Sequence, residues 1–149
     1  AGRLVALSLS DAFCVDRHRA AFLGLVRDHV DILFANEAEI CSLYEENEFE
    51  QAVRRAGADV ALAALTRSEA GSIVLRGAER VEVAAAPVQV VDTTGAGDAY
   101  AAGFLAAYAA GRGLRACGQL GSQAAAAAIG QYGARPQADL GAMLASIQD

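Results

Sequence analysis

There is no lysine in this chain; all 12 basic residues are arginine. That absence excludes the phosphate and carbonyl sites built on a lysine: the Walker A loop, the strand lysine of protein kinases and the pyridoxal Schiff base. Cysteine is scarce. Cys14, Cys41 and Cys117 are far apart, odd in number and without a C-x-x-C spacing, so the sequence predicts reduced, mostly buried thiols. Positive charge is outweighed to a formal net charge of −6, which removes any broad electrostatic case for nucleic acid or an anionic membrane. No apolar run approaches the roughly 20 uninterrupted residues that crossing a bilayer requires. Nothing at the amino end resembles a leader: Ala1-Gly2-Arg3 runs directly into strand-like sequence, without Met, which predicts a piece of something longer. A cytoplasmic protein is the expectation.

What is present is a chain of 149 residues, 54% hydrophobic and 20% charged, which suits one globular domain with a real core, 1–149. Leu4–Leu9 reads as a strand, Ser10–Asp16 as a loop, and Arg17–Val30 as an amphipathic helix through Ala21, Phe22, Leu25 and Val26. Asp31–Ala35 reads as a short buried strand, with Asn36 opening a helix through Ile40, Leu43 and Tyr44. An acidic turn at Glu45–Glu48 precedes a helix over Phe49–Ala56, ended near Gly57. Val60–Leu65 is the next strand; Ser72–Arg76 and Arg80–Ala84 form a hairpin around Gly77, and Val88–Val91 a further strand. Helices follow over Gly97–Ala110, Leu114–Gly130 and Leu140–Ile147, with Pro136 in the loop before the last. Strands alternating with helices predict an α/β fold with a mostly parallel, Rossmann-like sheet flanked by helices. Ligands of such sheets lie beyond the carboxyl ends of the strands. Asn36, Thr66 and Asp92–Asp98 each follow a predicted strand end.

The most informative run is Val90-Val91-Asp92-Thr93-Thr94-Gly95-Ala96-Gly97-Asp98-Ala99-Tyr100. An apolar segment enters a Gly-rich turn, and a helix rich in small residues follows through Ala101, Gly103, Phe104, Leu105 and Ala109. Free backbone N–H groups at a helix start, with the helix dipole behind them, favour an anion. A carboxylate, Asp98, sits in that first turn. Beside a phosphate it is electrostatically awkward unless it has work to do, such as taking a proton from an attacking hydroxyl. A tight turn with a helix-start Asp is the plainer alternative. The run lacks the third glycine and the downstream acid of a dinucleotide-binding fingerprint, so an oxidoreductase fits poorly.

The full string Asp-Thr-Thr-Gly-Ala-Gly-Asp over Asp92–Asp98 resembles the signature of the PfkB, or ribokinase, family of carbohydrate and nucleoside kinases. The resemblance implies a ribokinase-like fold and ATP-dependent transfer of a phosphoryl group to a hydroxymethyl alcohol of a sugar or nucleoside. It makes Asp98 the catalytic base and Gly95, Ala96 and Gly97 the anion hole. It implies a monovalent cation, K+ in kind, near the turn, with Asp92 and Thr94 as contributors; a turn-capping role for Asp92 stays open. Asn36 and Glu39 are similar to the family's N-x-x-E element, which organises Mg2+ largely through water; the plain reading is a capped helix start. Thr66-Arg67-Ser68-Glu69-Ala70-Gly71 stands where the family has T-x-G-x-x-G along the nucleotide, so Thr66, Ser68 and Gly71 are expected to bind ATP. Ser68 replaces the usual glycine. Arg67 near phosphate and Arg67 on the surface both remain open.

Leu120–Ala126 resembles the helix walling the adenine pocket, with Ser122 and Ala125 as contacts, and Gly133 is expected in the cation loop or base pocket. His18 and His29 lack ligand-spaced partners and read as surface histidines. The resemblance covers the carboxyl-terminal half of the family only, without its upstream Gly-Gly motif, substrate-gripping residues and β lid. Ser8–Arg17 and Thr66–Glu69 look most similar to bacterial adenosine-kinase-like members. The implied partner is a small sugar or nucleoside, with neither nucleic acid nor membrane; a homodimer is left open. A nucleotide-binding piece without turnover is the alternative function.

Overall fold

Short runs of Leu, Ile, Val and Ala make the central strands, and helices with one apolar stripe cover them. The computed structural model describes residues 2–135 and 137–148; Pro136 lies outside the described residues. The chain forms two compact units, Ala1–Arg67 with Ile73–Arg80, and Ser68–Ser72 with Val81–Asp149.

In the first unit the order is β1 (Ala6–Ser8), α1 (Ala12–Arg17), α2 (Arg19–Asp28), β2 (Ile32–Asn36), α3 (Glu37–Tyr44), α4 (Phe49–Asp59) and β3 (Leu62–Thr66). A single 3-10 turn (Ser68–Ala70) leads to the hairpin strands β4 (Ser72–Arg76) and β5 (Glu79–Val83), along which the chain changes unit. The sheet runs β1-β2-β3-β4-β5 in sequence order. β1 pairs with β2 and β2 with β3 in parallel, with Ser8 opposite Phe34 and Ala35 opposite Leu65. β2 and β3 are buried except at their last residues, as continuous apolar runs in a parallel sheet require. The core joins Leu33, Ala63 and Leu65 of the strands to Val26, Ile40, Leu43, Val53 and Ala56 of the helices.

Two expectations in this unit need correction. Ser10–Asp16 is not all loop: the Asp11 carboxylate accepts the Phe13 amide at 2.8 Å and caps α1, which buries Val15 completely. The helix from Phe49 does not stop near Gly57 but runs to Asp59. Burial of Ala52, Val53 and Ala56, with the Arg27–Asp59 ion pair at 2.9 Å near its end, outweighs the roughly 1 kcal/mol glycine penalty.

The second unit is built on α5 (Ala96–Ala109) and α6 (Leu114–Ile129), with α7 (Leu140–Ser146) beyond them. Small residues bring the two long helices together: a Cβ at Gly103 would lie 2.5 Å from Leu120 O, and one at Gly121 2.9 Å from Tyr100 O. Tyr100, Phe104 and Tyr108 stack along α5 with centroids 6.3 and 6.4 Å apart. The Ser122 hydroxyl accepts the Ala86 amide at 2.7 Å and donates to Ala84 O at 3.3 Å, holding the chain after β5 against α6.

The strand expected at Val88–Val91 does not form. The Val91 and Asp92 amides both donate to Ile129 O at the end of α6, at 2.8 and 3.2 Å, leaving Val88, Val90 and Val91 exposed. The signature turn is therefore entered from an irregular segment moored to a helix terminus.

Candidate functional site

Asn36 and Thr66 end β2 and β3 and are register partners. Asn36 then caps α3 in a closed box. Its Oδ1 accepts the Glu39 amide at 2.9 Å, while Glu39 Oε2 accepts the Asn36 amide at 2.9 Å and Oε1 accepts Asn36 Nδ2 at 2.8 Å. Glu39 is a buried acid, 7% exposed. Burial pushes its pKa up, the Asn36 amide bond pulls it down, and the charge of Asp11 adds to the rise. Each Glu39 oxygen keeps one further lone pair, and among the described residues no three His, Cys, Asp or Glu gather to hold a metal. The residues fit a water-mediated role toward Mg2+, not a direct cage.

Arg67 is not a solvated surface arginine. Its guanidinium lies over the Phe49 ring at 4.9 Å, and its buried Nε is 4.0 Å from Glu37 Oε2.

In the second unit Ser68 sits at φ +48°, in the left-handed region that a serine occupies only at a cost. The departure from glycine noted in the sequence is thus a conformational strain. Gly71, at φ +86°, has no room for a side chain: a Cβ would fall 2.1 Å from Val83 O.

The signature turn lies wholly in the second unit. Asp92 clasps it: Oδ1 accepts the Thr94 amide at 2.9 Å and Oδ2 the Gly133 amide at 3.2 Å. The Thr94 side chain, the Thr94 amide and the Gly133 amide together hold the Asp92 pKa below its usual value. Gly95, at φ +80°, is the N-cap of α5, and a Cβ there would lie 2.7 Å from Ala134 Cβ. The Ala96 amide turns back to Thr93 O at 3.2 Å, and Ala99 donates to Gly95 O at 2.9 Å. Between them the amides of Gly97 and Asp98 have no acceptor among the described residues. Gly97 has open space where a Cβ would go. Nothing in the protein's own packing calls for glycine there. The Asp98 carboxylate is exposed in the first helical turn and makes no hydrogen bond or ion pair among the described residues. Two free N–H groups, a bare Cα and an uncommitted carboxylate stand side by side, an arrangement that accepts an anion and presents a base to whatever lies next to it.

Ser122 lines a groove of about 560 Å³ with Pro87, Gln119 and Gln123, to which the Gly95–Asp98 turn does not contribute. Ala125 is half-buried on α6, and Gly133, at φ +89°, is exposed. His18 and His29 are exposed, as expected of surface histidines. Of the thiols only Cys117 is fully buried; Cys14 is exposed on α1, contrary to the reading of mostly buried cysteines. The sequence reading missed the approach of Ala134 to Gly95 and a buried Tyr100–Ser72 hydrogen bond of 2.8 Å. A tyrosine among the small residues of α5 was the only signal for the latter.

Residues 5–139 match the pfkB family carbohydrate kinases, and the chain belongs to that family. The adenosine kinase from Sinorhizobium meliloti is 53% identical and superposes with a TM-score of 0.92 over 97% of this chain and 46% of its own. A sugar kinase from Archaeoglobus fulgidus, itself uncharacterized, is 38% identical over 104 residues, 70% of this chain and 42% of its own length. The cytidine kinase from Thermococcus kodakarensis is 36% identical over 119 residues, 77% of this chain and 42% of its own length. This chain spans less than half the length of each relative.

Proposed function

We propose that this chain carries the nucleotide-handling and base-supplying part of an ATP-dependent kinase, with adenosine as the acceptor. The observation that carries the reading is the Gly95–Asp98 turn, whose free Gly97 and Asp98 amides adjoin the uncommitted Asp98 carboxylate. Phosphoryl transfer asks little covalent chemistry of a protein, and alignment and neutralisation of spreading charge dominate. The Gly95, Ala96 and Gly97 turn forms the anion hole, its free Gly97 and Asp98 amides binding the γ-phosphoryl oxygens while the Ala96 amide stays with Thr93 O. Asp98 takes the proton of the acceptor hydroxyl as its oxygen bonds to the γ-phosphorus and the bridge to the β-phosphate breaks. Thr66, Ser68, Gly71, Ser122, Ala125 and Gly133 contact the nucleotide. Asn36 and Glu39 orient water around Mg2+, which supplies charge neutralisation on the phosphates. Asp92 and Thr94 shape the turn, and a K+ held beside them is tested by the K+ dependence of turnover. Adenosine is drawn from the 53% identity to an adenosine kinase, and ribose stands beside it in the test because a probable sugar kinase from Rhizobium etli is 50% identical.

The test is ATP-dependent phosphorylation of adenosine, cytidine and ribose by the full-length gene product. Adenosine is expected to be the best acceptor, and Asp98→Asn to lower turnover by at least about a hundredfold. Turnover within a few-fold of the parent removes Asp98 from the base role. The second reading, a nucleotide-binding piece without turnover, draws on the short span of the chain relative to its relatives. It predicts calorimetric binding of MgATP by this chain with no phosphorylated product.

A further inference from the structure

The Tyr100 hydroxyl donates to Ser72 Oγ at 2.8 Å inside the second unit. Both residues are 4% exposed. Buried hydroxyls are kept only where something is gained from their hydrogen bond, because an unmatched one is costly. A phenylalanine at position 100 would fill the same ring volume and need no partner. The hydroxyl therefore adds location rather than packing.

What it locates is defined by the chain at either end. Ser72 opens β4 directly after Gly71, whose amide closes the turn Ser68–Ala70 on Ser68 O. Tyr100 stands two positions after Asp98 in the same helix, α5, whose start presents the free amides. Each end is fixed independently. The ring stacks on Phe104 at 6.3 Å and packs closely on Gly121, where a Cβ would come 3.1 Å from ring atoms. Gly71 is pressed against Val83 O, where any Cβ would sit at 2.1 Å. This hydrogen bond thus joins the start of β4 to α5. Burial pushes the Tyr100 phenol up to about 12, so it stays a donor throughout the neutral range.

We propose that Tyr100 and Ser72 are positioning residues, fixing the loop at residues 68–71 against the start of α5 so that both meet one nucleoside triphosphate in a set geometry. The inference rests on the nucleotide reading above. Tyr100→Phe, Ser72→Ala and the double variant are compared with the parent for MgATP affinity by calorimetry and for melting temperature. Amide resonances of Gly71 and Asp98 are followed without ligand. Each single variant is expected to bind MgATP about fivefold more weakly, with the double variant no worse than the weaker single. The Gly71 and Asp98 resonances are expected to shift together in Tyr100→Phe, although residue 71 is remote from it in sequence. Affinities within twofold of the parent overturn the inference and leave the nucleotide reading standing. A folded parent that binds no MgATP overturns the nucleotide reading and this inference with it. Additive losses in the double variant also overturn it, since two unconnected residues would behave so.

Discussion

Asn36 and Thr66 face each other as the last register pair of the parallel strands β2 and β3. Parallel pairing sends every strand's carboxyl end to one side of the sheet, so two polar groups distant in sequence arrive side by side. The same residue that ends β2 also starts α3, because the Asn36 side chain accepts the Glu39 amide. Asn36→Ala is expected to destabilise the protein by about 1 kcal/mol or more, since it removes a cap and strips the buried Glu39 carboxylate of one donor. Urea denaturation measures this. A change of a few tenths of a kcal/mol shows that water replaces the cap.

Gly97 offers a test in which stability and binding move in opposite directions. A Cβ there meets nothing in the protein, and alanine is the better helix former by up to about 1 kcal/mol. Gly97→Ala is expected to raise the melting temperature slightly while weakening MgATP binding at least about tenfold by crowding the phosphate. Unchanged affinity places the phosphate elsewhere.

Ser68 bears strain that glycine would not. Ser68→Gly is expected to stabilise the protein by about 0.5–1 kcal/mol, because φ +48° costs a serine more than the glycine loses in unfolded-chain entropy. Thermal unfolding reads the change as a rise of a few degrees. A fall in melting temperature gives the Ser68 hydroxyl a structural partner that outweighs the strain.

The buried Glu39 makes stability depend on pH in a definite direction. Its folded pKa is raised above the ordinary 4.5, chiefly by burial, so the folded protein holds this proton more tightly than the unfolded chain. The Glu39 contribution is therefore most favourable below pH 4.5 and declines as pH rises through the folded pKa. Glu39→Gln is expected to abolish that decline in urea denaturation series from pH 4 upward. Parallel pH profiles for variant and parent assign the dependence to another group.

Local chemistry was readable where one short segment specifies its own structure. The capping box at Asn36–Glu39 and the hairpin turn around Gly77 need only neighbours in sequence, and both formed as expected. Val88–Val91 was misread because its apolar, β-branched composition favours a strand, whereas its following amides find Ile129 O at the end of α6. Spacing cannot reveal a partner that tertiary packing supplies. The bareness of Gly97 and the tightness of Gly95 likewise look identical in sequence; only Ala134, pressed against one and absent from the other, separates them.

The Ser122 hydroxyl is committed at both its donor and acceptor sides to the backbone of Ala84 and Ala86. The single donor of this hydroxyl is spent while one lone pair remains, so toward a third group Ser122 can accept a hydrogen bond but not donate one. At the edge of a base such a group accepts from an amino group and repels a carbonyl.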